Sequence, residues 1–367
     1  MTPVPRHYLL LGLTVLALGA GCASDPPAEH TDAEAELPAL PPEPPPTFGL
    51  DSVMLDAAVA HASELTRLRT LLVARHGEVL VEEHFRGPGL TDPHNVKSVS
   101  KSVVSALVGI AIAEGHLSGA DQPIGTFFTR YLAGESDSRK PSITLAQLLS
   151  MQSGLERTSG SNYGSWVTSR DWIGYALGRP MVADPGTQRL YSTGNSHLLS
   201  AIITQATSQS TLAYAREVLG EPLGISIPGW STDPQGIYFG GNEMRMTPRA
   251  MLAFGELYRN RGRAPDGTQV VPEAWVRESL VSRVAARGRG EGYGYSWFLS
   301  NVRGHEMFYA WGYGGQFIFV IPGLELTVVT TSDPNAPRGQ EHNREIRRLL
   351  AERIVPAAER GDGGRGQ

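Results

Sequence analysis

Lys97-Ser98-Val99-Ser100-Lys101-Ser102 opens an apolar run, Val103 to Ala113, with no proline before Glu114-Gly115. The run reads as a buried helix that ends near Gly115. Ser98 and Lys101 are three residues apart at its start, so they share one face. A lysine on the first turn of a buried helix is costly to keep charged. Burial lowers an ammonium pKa, and a neutral amine beside a hydroxyl can act as its base. A capping serine followed by a solvated lysine gives the same letters. The pattern gains meaning only from what the rest of the chain supplies.

Upstream lies a segment with the character of an export signal over residues 1–21. Arg6 and His7 precede an apolar stretch from Tyr8 to Leu18, then Gly19-Ala20-Gly21. The stretch is short for a permanent span. Cys22 follows and is the only cysteine, which excludes an intrachain disulfide and a thiol nucleophile within the fold. Leu18-Gly19-Ala20-Gly21-Cys22 resembles a bacterial lipobox, with the leucine four residues before the cysteine instead of three. This predicts a lipid anchor on Cys22 and a membrane-tethered or periplasmic location in the cell envelope; a plain signal peptide is the alternative. Residues 22–47 are proline-rich and acidic and read as an unstructured tether. Residues 358–367 read as a disordered tail.

Between those ends, Ser52 to Leu65 carries apolar residues at helical spacing. Leu71 to Arg75 and Glu78 to Phe85 flank His76-Gly77 as a hairpin. Thr144 caps a short helix from Leu145 to Met151. Asn195–Thr207, Pro248–Arg261 and Pro272–Leu280 read as further helices. Strands are expected over Tyr293–Leu299, Met307–Trp311, Gln316–Ile321 and Leu326–Thr331, followed by a helix over Asn343–Ile354. Strands at both ends with helices between them predict an α/β fold. An antiparallel sheet flanked by helices forms from residues 48–135 and 287–357, with a mainly helical insert at 136–286.

Two more stretches carry chemistry. Tyr191 sits in a turn before a buried helix; its hydroxyl is a good proton relay if a neighbouring Lys⁺ pulls its pKa down, and a ring packed at the helix entrance is the alternative. Ala310-Trp311-Gly312-Tyr313-Gly314-Gly315-Gln316 ends a strand. A backbone N–H there can pair with that of Ser98 as an oxyanion hole; a bulge or tight turn is the alternative. Tyr163 and Trp166, in a Gly/Ser-rich loop, are candidate walls of a substrate pocket; plain surface-loop aromatics are the alternative. The net charge of -5 argues against a nucleic-acid partner. The histidines show no metal-ligand spacing and no phosphate-binding glycine loop is present, so no metal or other cofactor is implied.

In this order and spacing the chain resembles the serine β-lactamase-like superfamily: class C β-lactamases, related esterases, D-amino-acid peptidases and 6-aminohexanoate-dimer (nylon-oligomer) hydrolases. The matching stretches are Ser98-Val99-Ser100-Lys101-Ser102, Gly115 to Ile124, Leu148 to Leu155, Tyr191-Ser192-Thr193 and Trp311 to Gln316. The resemblance implies Ser98 as acylated nucleophile, Lys101 and Tyr191 as its proton-transfer pair, and Tyr313 as donor of the second oxyanion N–H. Which of the pair is the base stays open. Thr193 stands where the family has asparagine, and Ala310-Trp311-Gly312 where it has Lys-Thr-Gly. No cation stands there to hold a substrate carboxylate. The expected substrate is therefore a small neutral ester, amide or peptide-like molecule. A true β-lactamase or D-alanyl-D-alanine carboxypeptidase, and a non-catalytic envelope-binding lipoprotein, are the alternatives.

Overall fold

The computed structural model describes residues 49–284, 291–335 and 339–363. The expected leader, Cys22, the linker and residues 364–367 lie outside them. Among the described residues no helix is long and apolar enough to cross a membrane.

A seven-stranded antiparallel sheet is the centre of the fold. Its strands are β1 (Leu68–Arg75), β2 (Glu78–His84), β5 (Gly292–Tyr293), β6 (Phe298–Val302), β7 (His305–Gly312), β8 (Gln316–Ile321) and β9 (Leu326–Ser332), ordered β2-β1-β9-β8-β7-β6-β5. The two ends of the sequence thus meet at β1 and β9. Alternation on β8 explains why both faces are covered. Ile318 and Val320 join the core under the Pro248–Arg259 helix, whereas Phe317, Phe319 and Ile321 join the core under the Ser52–Glu64 helix and the C-terminal helices. A second ladder pairs β3 (His94–Asn95) with β4 (Arg245–Met246).

Local signals act as expected at several points. Gly77 takes φ +86 in the β1–β2 turn. Thr144 and Gln147 form a reciprocal capping box at the Leu145–Leu149 helix. The Pro248–Arg259 helix lies on the sheet itself, not in a separate helical layer. A Cβ added at Gly255 would stand 2.7 Å from Ile318 Cγ2.

Two expectations are corrected. The strand expected over Tyr293–Leu299 is two strands of a hairpin, because Ser296 takes φ +61 and its N–H donates to Leu149 O. This turns Tyr295 and Trp297 into the helical core. The tail expected from residue 358 continues as a helix, Val355–Gly363. Ala357 and Ala358 are fully buried, and Glu359 pairs with Arg303 at 3.0 Å.

Candidate active site

The β3–β4 ladder aims the chain at the site. Beyond Asn95 it continues for one more bond, Val96 N–H to Met244 O. Then Lys97 turns left-handed at φ 52, with its N–H donating to Asn95 Oδ1 at 3.0 Å. Lys97–Val99 forms one tight helical turn that runs into the Ser100–Ala113 helix. A non-glycine residue held left-handed next to an accessible serine is strain of the kind found at functional sites. Ser98 remains half-exposed, whereas Lys101 is 1% exposed.

Lys101 Nζ lies 3.0 Å from Ser98 Oγ and donates to Gly241 O at 2.6 Å. It also sits 5.1 Å from the centroid of the Tyr191 ring. Tyr191 thus stands beside the same amine, with Ser98 close enough to act on its hydroxyl. The three residues expected to act together are therefore gathered from two distant segments. Burial pushes the Lys101 ammonium down to about 7. Burial also pushes the Tyr191 hydroxyl up to about 12, against the opposing effects of its Ser98 hydrogen bond and Arg189. The pKa thus lies above the ordinary tyrosine value instead of below it, because desolvation outweighs the Ser98 hydroxyl and the Arg189 charge.

The other candidates separate. Gly312 abuts the nucleophile turn: a Cβ added there would stand 2.2 Å from Val96 O and 3.1 Å from Lys97 Cβ. Only glycine lets the end of β7 come so close, and this brings the Tyr313 backbone to the turn. The Tyr313 side chain is exposed. Trp311 is half-buried against Phe298, which also stacks on Tyr191. Thr193 is buried. Its N–H donates to Ser159 Oγ at 2.9 Å and its hydroxyl lies 3.0 Å from the same atom, so it offers no free amide-like contact. Tyr163 OH accepts from Asn242 Nδ2 at 2.9 Å. Trp166 is a correction. It has no exposed surface and donates to Trp172 O within a cluster of Trp172, His197 and Phe239, so it backs the wall and does not line it.

Sequence reasoning missed Gly240-Gly241-Asn242-Glu243. Gly241 O holds Lys101, Asn242 holds Tyr163, and Glu243 holds Lys97 at 2.8 Å. The available signal is the glycine pair. A Cβ at Gly240 would strike Ser196 O at 2.1 Å, and one at Gly241 would lie 3.0 Å from Lys101 Nζ. A cavity of about 750 Å³ lies elsewhere, between the Gly77 turn and the Pro248–Arg259 helix. Along it Arg249 pairs with Glu82 and Arg259 with Glu256, and its lining does not include Ser98, Lys101 or Tyr191.

The beta-lactamase family model matches residues 69–351. The 6-aminohexanoate-dimer hydrolase of Paenarthrobacter ureafaciens is 27% identical over 332 residues, 80% of each chain. Among solved structures, EstCE1, described as a hydrolase with promiscuous acyltransferase activity, superposes with a TM-score of 0.68 at 18% identity, covering 83% of this chain and 98% of that one. A β-lactamase from Mycobacterium bovis gives 0.58 at 18% identity, covering 82% and 98%. These structural likenesses concern the fold.

Proposed function

The chain belongs to the beta-lactamase family and is a serine hydrolase, and on that premise we propose that it cleaves a neutral ester or amide through an acyl-Ser98 intermediate. The observation that carries the reading is Lys101 Nζ, buried and 3.0 Å from Ser98 Oγ, with its pKa lowered to about 7. A neutral amine at that place takes the Ser98 proton as Oγ bonds to the substrate carbonyl carbon. The backbone N–H groups of Ser98 and Tyr313 hold the resulting oxyanion. Tyr191, protonated at neutral pH, gives its phenolic proton to the leaving group as that bond breaks, and the Lys101 ammonium restores it. Water then attacks the acyl carbon by the reverse route. Ala310, buried and apolar, supplies no charge for a substrate carboxylate, which favours a neutral substrate.

Fluorophosphonate labelling and a panel of p-nitrophenyl esters, short amides and nitrocefin test this. Wild type labels and turns over esters or amides, and Ser98→Ala loses both, with kcat down about ten-thousand-fold. Equal labelling of the two proteins would sink the assignment, and nitrocefin as the best substrate would reverse the choice of substrate. An exported chain lipidated at Cys22 belongs to the same proposal. It rests on the leader and lipobox-like sequence, and predicts that Cys22→Ala moves the protein from the membrane pellet to the soluble fraction.

A further inference from the structure

The residue before the nucleophile and the loop that holds the lysine are tied by one carboxylate. Lys97 stands left-handed at φ 52 and Glu243 at φ 58, each without the freedom of glycine. Their backbones have just left the short ladder, whose last bond is Val96 N–H to Met244 O. Where the ladder ends, side chains take over. Lys97 Nζ donates to Glu243 Oε1 at 2.8 Å, and Asn95 Nδ2 donates to Glu243 Oε2 at 2.6 Å. Asn95 Oδ1 in turn accepts the Lys97 N–H. Both oxygens of Glu243 are therefore spent on the segment that presents Ser98. On its own side, Glu243 follows Gly241, whose carbonyl fixes Lys101 at 2.6 Å. Its N–H donates to Asn242 Oδ1, and that side chain holds Tyr163.

We propose that Glu243 is a positioning residue. Through Lys97 and Asn95 it locks the Ser98 turn to the Gly240–Glu243 loop, so that Ser98 Oγ and Lys101 Nζ keep hydrogen-bonding distance. The inference rests on Ser98 being the nucleophile and adds a residue that touches neither substrate nor reacting atoms. The ion pair is half-buried and well aligned, and its effect is on geometry: small displacements of reacting groups lower kcat while leaving substrate affinity alone.

The test measures kcat and KM per active site, with sites counted by complete fluorophosphonate labelling so that unfolded protein does not enter the rate. Glu243→Ala is expected to lower kcat about thirty-fold with KM within about twofold of wild type. Glu243→Gln, which keeps one acceptor oxygen, should fall between the two. In the Lys97→Met background the loss from Glu243→Ala should shrink, because one of its two partners is already gone. Wild-type kcat per labelled site in Glu243→Ala would overturn the inference. So would a Glu243→Ala loss that is undiminished in the Lys97→Met background. A wild-type chain that never labels would instead overturn the Ser98 reading and this inference with it.

Discussion

Lys101 sets the conditions under which this site works, and it does so at a cost to the fold. Only its neutral form can accept the Ser98 proton, and the amine loses its proton near pH 7. Log kcat/KM should therefore rise with a slope of one as pH rises to about 7 and then level, until Tyr191 begins to ionise near 12. A limb that stays flat from pH 5 to 9 would remove Lys101 as base. The same shift makes a stability statement. In the unfolded chain the lysine titrates near about 10.4. Below about 7 both states carry the proton, so the folded state bears the whole burial penalty. As pH rises from there to about 10.4, the unfolded chain holds a proton that the folded one lacks, and stability rises. Lys101→Met should therefore abolish turnover yet raise the melting temperature, by several degrees at pH 6 and hardly at all at pH 10. Equal gains at both pH values would mean that burial does not shift this group.

At the scale of elements, the site depends on how closely β7 approaches the nucleophile turn. Gly312→Ala would place a methyl 2.2 Å from Val96 O, where backbone meets backbone and no side chain can swing aside. The strand end must withdraw, and the Tyr313 N–H with it. We expect kcat for esters to fall about a hundred-fold or more, the scale of a lost oxyanion donor, while the melting temperature changes by only a few degrees. Undiminished kcat would place the second donor elsewhere. This contact also shows what a sequence can disclose. Ser98 and Lys101 are legible because their spacing on a helix fixes their distance, and Tyr191 because it enters a helix after a marked turn. The Gly312 stretch is legible as a place of close approach, but the approaching group is the Val96–Lys97 backbone. Lys101's other partner is a backbone carbonyl, Gly241 O, so the residue type names no acceptor, and only the Gly240-Gly241 pair hints at a close approach. Trp166 misleads for the opposite reason: its loop has a polar composition while its ring lies in the core.

Across the whole molecule, one antiparallel sheet built from both ends of the folded region is legible in their apolar runs and tight turns, but the order of its strands is not. Nor is what fastens those two ends together. It depends on Arg75, an arginine on β1 that the hairpin pattern leaves without a stated task. Its side chain is 1% exposed and donates to Gly49 O at 2.5 Å, Leu324 O at 3.1 Å and Ala358 O at 3.1 Å. One guanidinium thus joins Gly49 ahead of the first helix, the turn before β9 and the last helix. The Asp51 N–H adds a bond to Ala357 O beside it. The helical tail beyond residue 357 follows from this anchoring, which a Gly- and charge-rich sequence does not advertise. Arg75→Met fills a similar volume but leaves buried carbonyls without their donor, at a cost of about 3 kcal/mol. For a chain this long that corresponds to a fall of roughly 5–10 °C in melting temperature. The Ser98–Lys101–Tyr191 group is built from other segments, so fluorophosphonate labelling per folded molecule at 25 °C should keep its wild-type rate. A variant that melts like wild type would show that water replaces the guanidinium, and that the two termini are held by the apolar faces of their helices alone.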